Sequence, residues 1–189
     1  GYKVLISDLY EQSFRPVLSR LDIKDGFEGE NFNYVKEIGD AYLNDKISDD
    51  VKAEMEKLKA ADLVIFQFPV QWFSVPAILK GWFDRVLVSE FAFKFPNNLM
   101  ENGLMKGKKA VLSFTTGSPG LMYTPNGLAG DLNTIFWPIQ YGTLRFVGFD
   151  VLKPQCSFGP GLADDTQRKE MLKNWETRLM NINSEKPLE

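Results

Sequence analysis

Histidine is missing from all 189 residues, and cysteine occurs once, at Cys156. The first absence removes Ser-His-Asp triads, Cys-His nucleophiles and every zinc site built on imidazole. The second rules out an internal disulfide and fits a reducing compartment, the cytoplasm being the expected one. Cys156 itself reads as a small packed residue rather than a redox centre. No apolar run reaches the roughly 20 residues of a membrane-spanning helix. Basic clusters are also lacking. Lys and Arg total 22 against 25 Asp and Glu, a net charge of −3, so nucleic acid and anionic membrane are poor partners. Neither G-x-G-x-x-G nor G-x-x-x-x-G-K-[ST] occurs, which excludes those two phosphate loops.

What is present suits a globular protein: 44% of residues are hydrophobic and 25% charged. The length fits a single domain over 1–189. "YKVLIS" (Tyr2–Ser7) has the content of a short strand, and "DLVIFQFP" and "KKAVLSFTTG" look like strands buried on both faces. "FDVLKPQCSF" is a further strand candidate. A helical patch is expected around Val35–Tyr42, and a second helix from Ser48, with Val51, Met55 and Leu58 on one face. Pro76 can open another helix, on which Leu79, Trp82, Phe83 and Val86 recur at helical spacing. "DLNTIFWPIQYGTLRFVG" starts helical and should break near Pro138. The last helix carries Leu172, Trp175, Leu179 and Ile182 on one stripe. Strands of buried type alternating with helices predict an α/β fold with a mainly parallel sheet.

In such folds ligands sit beyond the carboxyl ends of the strands. The two loops there are "PVQWF" (Pro69–Phe73) and "TTGSPG" (Thr115–Gly120). One offers flat aromatic surface; the other offers hydroxyls and backbone N–H groups. Together they suit a planar ring system with polar edges. Plainer explanations stay open from the residues alone. Trp72 and Phe73 can be core or interface residues, "TTGSPG" an ordinary turn, and Tyr123 a surface tyrosine. Phe91, Phe93 and Phe95 can form a strand face, and Asp84 and Arg85 a solvated helix face.

The strings "AADLVIFQFPVQWFSVPAILKGWFDRV", "KKAVLSFTTG", "MYTPNGLAGD" and "FWPIQYGTLRFVGF" resemble the NAD(P)H:quinone oxidoreductases of the DT-diaphorase type. The similarity runs from the first residues to about residue 185. The resemblance implies a flavodoxin-like fold with helices on both faces of the sheet, bound FAD and a homodimer. It also implies two-electron reduction of quinones by NAD(P)H in a ping-pong cycle. By this resemblance Pro69, Val70, Gln71, Trp72 and Phe73 lie along the flavin ring. Thr115, Thr116, Gly117 and Ser118 lie at its edge, with Ser118 where the family usually has a second glycine. Asn33 would help hold the partner subunit's FAD, and Asp84 and Arg168 would stand near its adenine end. Trp72, Phe73, Phe93, Phe95, Met122 and Phe146 would line the quinone pocket, and Tyr123 would hydrogen-bond near the flavin during hydride transfer.

Three departures qualify these expectations. The family's catalytic histidine falls at Ala129, which leaves Tyr123 or water to act alone. The paired histidines that hold a metal in one branch fall at Tyr141 and Arg145, so no metal is expected. The family also has a strand, a diphosphate-binding loop and a helix ahead of "GYKVLISDLY", so the resemblance implies a fragment or a shortened variant. A missing strand would belong between Tyr2–Ser7 and the strand at Asp62–Phe68. Two other activities stay open: a cofactor-poor member acting as a binding or dimerisation partner, and an FMN-dependent reductase of azo or nitro groups.

Overall fold

The computed structural model describes residues 2–188. Packing divides the chain into two compact units. The first contains the chain up to Asp62, Ala77–Lys108 and Arg145–Phe149; the second contains Leu63–Pro76, Lys109–Leu144 and the chain from Asp150 onward.

The first unit is helical. Helix α1 (Tyr34–Leu43) begins where the Asn33 side chain accepts a hydrogen bond from Lys36 N at 3.3 Å. Helix α2 (Asp49–Ala60) follows Ser48 and buries Val51, Met55 and Leu58, as their spacing predicts. Helix α3 (Ala77–Val86) starts directly after Pro76 and buries Leu79, Trp82, Phe83 and Val86. A polar contact joins α2 to α3: Trp82 Nε1 donates to buried Glu54 Oε2 at 2.9 Å. Gly81 is required here, because a Cβ would stand 2.1 Å from the carbonyl oxygen of Pro16.

Arg85 overturns the expectation of a solvated Asp84–Arg85 face. Its side chain is wholly buried. It donates to Asp22 Oδ1 through Nε at 3.0 Å and Nη2 at 2.8 Å, and to the Arg15 carbonyl at 2.7 Å. It also pairs with Asp50 at 2.7 Å and lies 4.8 Å from the centroid of the Phe14 ring. Asp22, itself buried, accepts further bonds from the Tyr34 hydroxyl at 2.9 Å, from Ser19 N at 3.1 Å and from Arg15. A buried charge survives only when its hydrogen-bonding positions are filled, and these are.

Two more expectations fail in this unit. Tyr2–Ser7 forms no strand and is exposed: a strand needs a ladder partner for its backbone N–H and C=O groups, and no strand ladder among the described residues includes this segment. Phe91, Phe93 and Phe95 are not one face of a strand either. Glu90 at φ 68° turns the chain and only isolated bridges hold it, so Phe91 is buried while Phe95 is 77% exposed.

The second unit carries the sheet, in which every pairing is parallel. Strand β1 (Leu63–Pro69) pairs with β2 (Lys109–Thr116) from Leu63 opposite Lys109 to Pro69 opposite Thr115. The candidate "FDVLKPQCSF" is two strands, β3 (Asp150–Val151) and β4 (Gln155–Phe158), both on the other edge of β2. Pro154 lacks an N–H and interrupts the ladder between them. Helix α4 (Leu132–Ile139) does not stop at Pro138; it runs through and widens into a π-helical turn at Gln140–Arg145. The proline ring removes only the donor that would reach the Thr134 carbonyl, and the ladder resumes beyond it, with Gln140 N donating to the carbonyls of Phe136 and Trp137; in the wider turn Thr143 Oγ1 donates to the Pro138 carbonyl at 3.2 Å.

Phe68, Phe114 and Phe136 form an aromatic core, with ring centroids 4.4–5.9 Å apart. Helix α5 (Asp165–Asn181) opens with a capping box between Asp164 and Gln167. Its Trp175 and Leu179 pack with Ile182 on Val111 and Leu152. Leu172 does not join that stripe and is 70% exposed, because nothing described covers that part of the helix.

Candidate functional site

The register that sets Pro69 opposite Thr115 brings the two predicted loops out of the sheet side by side. The ladder continues one residue further, with Val70 N donating to Thr115 O at 2.9 Å. The first loop then reverses. Gln71 N donates to Ser74 O and Ser74 N to Gln71 O, each at 2.9 Å, so only Trp72 and Phe73 form the tip. Both tip residues are left-handed, Trp72 at φ 46° and Phe73 at φ 59°. Two-residue tips of this hand normally carry Asn-Gly, whose small groups avoid the clash between Cβ and carbonyl. Here two aromatics adopt it, at a strain of roughly 1–3 kcal/mol each. The turn holds the Trp72 indole 94% exposed and the Phe73 ring 50% exposed, which answers the core alternative for Trp72.

The second loop is held by its own hydroxyl. Thr116, buried at the end of β2, donates through Oγ1 to Ser118 O at 2.8 Å. It accepts Gly159 N at its carbonyl at 3.0 Å and at Oγ1 at 3.3 Å. The N–H groups of Trp72, Phe73, Gly117 and Ser118 make no hydrogen bond among the described residues. A Cβ built on Gly117 would meet only open space. Between them the loops present an exposed indole, four free donors and unfilled space, which suits a flat ring whose edge accepts hydrogen bonds.

Tyr123 ends a short turn, Gly120–Tyr123, that follows this loop. Its ring centroid is 5.7 Å from that of Phe158, with 33° between the planes. Its hydroxyl makes no hydrogen bond among the described residues. The next loop folds back, with Ala129 N donating to Met122 O at 2.9 Å. Gly127 permits this approach, since a Cβ there would stand 2.4 Å from the Met122 carbonyl oxygen. Beside Phe158 a cleft of about 400 Å³ opens, lined among others by Pro119, Leu162, Gln167, Glu170 and Met171. Phe158 and these α5 residues were not singled out by sequence. The only signal was that Phe158 ends the strand candidate "FDVLKPQCSF"; the structure sets it opposite Thr116.

The other expected site residues are occupied elsewhere or belong to the first unit. The Arg168 guanidinium binds the carbonyls of Pro160 and Ala163 and the Asp165 carboxylate, so it secures the start of its own helix. In the first unit Asp84 receives Lys80 at 2.6 and 2.9 Å. Asn33 caps α1 and borders a cleft of about 230 Å³ with Lys36, Asp40 and Glu90. Phe93 and Phe146 meet edge to face at 5.5 Å. Tyr141, at one of the two positions considered for a metal, stacks on Trp137 at 4.3 Å in the second unit. Cys156 lies on β4, where burial pushes its thiol up to about 12 and keeps it from acting as a thiolate.

Comparison with known proteins shows the family. A family model described as "Flavodoxin-like fold" matches residues 1–179. The chain is 48% identical over its full length to NAD(P)H dehydrogenase [quinone] 1 of Cavia porcellus, spanning 68% of that protein. It is also 48% identical over its full length to ribosyldihydronicotinamide dehydrogenase [quinone] of Rattus norvegicus, spanning 81%. A crystal structure of a Klebsiella pneumoniae protein superposes with a TM-score of 0.93 at 34% identity, covering 98% of this chain and 74% of that one. The NAD(P)H:quinone oxidoreductase of Methanothermobacter marburgensis superposes with a TM-score of 0.66 at 25% identity, covering 94% and 79%.

Proposed function

The chain belongs to the flavodoxin-like family of NAD(P)H dehydrogenases (quinone), and from that membership we propose that it reduces quinones with NAD(P)H through a flavin. The observation that carries this reading is the strained Trp72–Phe73 tip standing beside the free N–H groups of Gly117 and Ser118. Strain of this kind persists where the surroundings impose it and a function uses it. A flavin held there by the two loops would supply the two-electron redox chemistry between NAD(P)H and a quinone.

The residues present fit such a group at its ring end. Trp72 and Phe73 offer aromatic surface for stacking, and Pro69, Val70 and Gln71 set the height of that shelf above the sheet. Thr116 fixes the second loop, and its free Gly117 and Ser118 N–H groups can serve as a donor pair for negative charge at a ring edge. Thr115 sets the register of that loop against Pro69. The Tyr123 hydroxyl, which makes no hydrogen bond among the described residues, ends the turn that follows this loop and can serve as a proton or hydrogen-bond donor. Ala129 supplies no acid or base, so Tyr123 works without a side-chain relay at that position.

FAD rather than FMN, a ping-pong order and a homodimer belong to the same proposal. The family resemblance supports the first two, with Asn33, Asp84 and Arg168 as the residues at the nucleotide end, and Phe93, Phe95, Met122 and Phe146 at the quinone. The dimer is supported by the apolar side chains of Leu121, Leu128 and Trp137, exposed by 85%, 89% and 56% in the second unit. A cytoplasmic location is supported by the lone cysteine, and no described helix is long and apolar enough to cross a membrane.

The test is direct. Purified protein should be yellow or become so on adding flavin, and should oxidise NAD(P)H only when a quinone is present. Chromatography of the extracted cofactor separates FAD from FMN. Protein that stays colourless after incubation with both flavins refutes the proposal.

A further inference from the structure

Resting on the flavin reading above, we infer that Phe158 is a positioning residue for Tyr123. Its ring sets where the tyrosine hydroxyl points, a task that no side-chain hydrogen bond performs among the described residues.

Tyr123 has an open hydroxyl and an alanine, Ala129, in the loop folded back on its neighbour Met122. Its backbone is well fixed. Met122 N donates to Pro119 O at 3.1 Å, Met122 O accepts Ala129 N, and Gly127 closes on the same carbonyl. The side chain is a separate matter. Rotation about its first bond would sweep the hydroxyl through several ångströms, and no polar contact among the described residues opposes this. Among the described residues the ring contact that does is Phe158, at 5.7 Å and 33°, within the range where aromatic pairs attract.

Phe158 can serve as such a reference because it is tied to the sheet. It closes β4 opposite Thr116. The next residue, Gly159, binds both the carbonyl and the hydroxyl of Thr116. Thr116 in turn fixes the loop with the free N–H groups. The donor pair and the tyrosine are therefore referred to one side chain, Thr116, through two short paths. Gly120 completes the arrangement. A Cβ there would come within 3.2–3.4 Å of the Phe158 ring, so glycine lets the Gly120–Tyr123 turn lie close over it.

The experiment has two arms, each on the full chain. In the first, tyrosine-labelled protein is observed by NMR, with the Tyr123 ring signals assigned by their loss in Tyr123→Phe. Phe158→Leu should move those signals toward free-tyrosine values, and Phe158→Tyr should keep them. Unmoved signals in Phe158→Leu would overturn the inference whether or not the protein is active. In the second arm, Phe158→Leu should lower kcat about three- to tenfold, with KM for quinone and flavin affinity unchanged. Phe158→Tyr should restore kcat, and Phe158→Leu should have no further effect in a Tyr123→Phe background. An equal loss in both backgrounds would mean that Phe158 acts independently of Tyr123 and overturn the inference. Ring signals that shift as expected in a protein that binds no flavin would uphold the positioning and sink the flavin reading alone.

Discussion

Replacing Trp72 by asparagine should make the protein more stable and less able to hold its cofactor. Trp72 sits at φ 46° and is 94% exposed, so its side chain contributes almost no burial while its backbone is strained. A non-glycine residue in the left-handed region is disfavoured by roughly 1–2 kcal/mol, and asparagine escapes much of this through local hydrogen bonding. Almost nothing is lost in exchange, because the indole touches little. The net gain is about 1 kcal/mol, or about 2–4 °C in Tm for a chain of this size. Phe73 is a poorer target: its ring is 50% exposed, so Phe73→Gly would also lose packing and add freedom to the unfolded chain. The aromatic shelf, by contrast, depends on Trp72. Losing one stacked ring forfeits about 0.5–1.5 kcal/mol beyond its area, so flavin should bind up to about tenfold more weakly from stacking alone. Thermal unfolding without flavin and a flavin titration monitored by fluorescence read the two effects separately. A lower Tm together with unchanged flavin affinity would refute both the strain and its purpose.

Arg85→Ala should cost up to about 3–5 kcal/mol in urea unfolding, because it removes one of the two cations paired with the buried Asp22 carboxylate and leaves Arg15, Tyr34 and Ser19 N to hold it; adding Asp22→Asn should recover part of that loss. Alkali should destabilise the protein in two steps. The Cys156 thiol is pushed up to about 12 by burial, so the unfolded chain ionises first and stability falls from about pH 8.5 upward, a step that Cys156→Ala should remove. Tyr34 is also raised, by burial and then by the charge of Asp22, so its contribution is present below about pH 10 and lost above; Tyr34→Phe should flatten that part of a urea-midpoint profile. Ala129→His should raise kcat by a factor of up to about 10²–10⁴, the usual worth of a general acid–base group. An unchanged rate, with folding intact by circular dichroism, would show that Tyr123 needs no partner at that position.

Much of the frame was legible because it rests on local rules. The buried runs "DLVIFQFP" and "KKAVLSFTTG" could be little but central parallel strands, and they are β1 and β2. A parallel pairing of the two runs puts the loops Pro69–Phe73 and Thr115–Gly120 at one end of the sheet, and the register of β1 on β2 does so. The errors came where a segment's state depends on something distant. Tyr2–Ser7 has strand composition, yet a strand exists only through its neighbour. Pro138 has the chemistry of a helix stop, but the chain around it widened its hydrogen-bond ladder instead.

By itself, then, the sequence determined the class of fold, the parallel strands, the helix starts at Ser48 and Pro76, and the pair of loops at the candidate site. Each follows from periodicity, a capping group or a run of apolar residues, all of which act over a few positions. Only the tertiary structure decided that Trp72 and Phe73 form a strained tip rather than core, because that depends on two hydrogen bonds between Gln71 and Ser74. Only it joined Arg85 to Asp22, 63 residues apart, and Tyr123 to Phe158. Composition cannot show such pairs, since a buried charge or an oriented ring is defined by what the folded chain brings beside it.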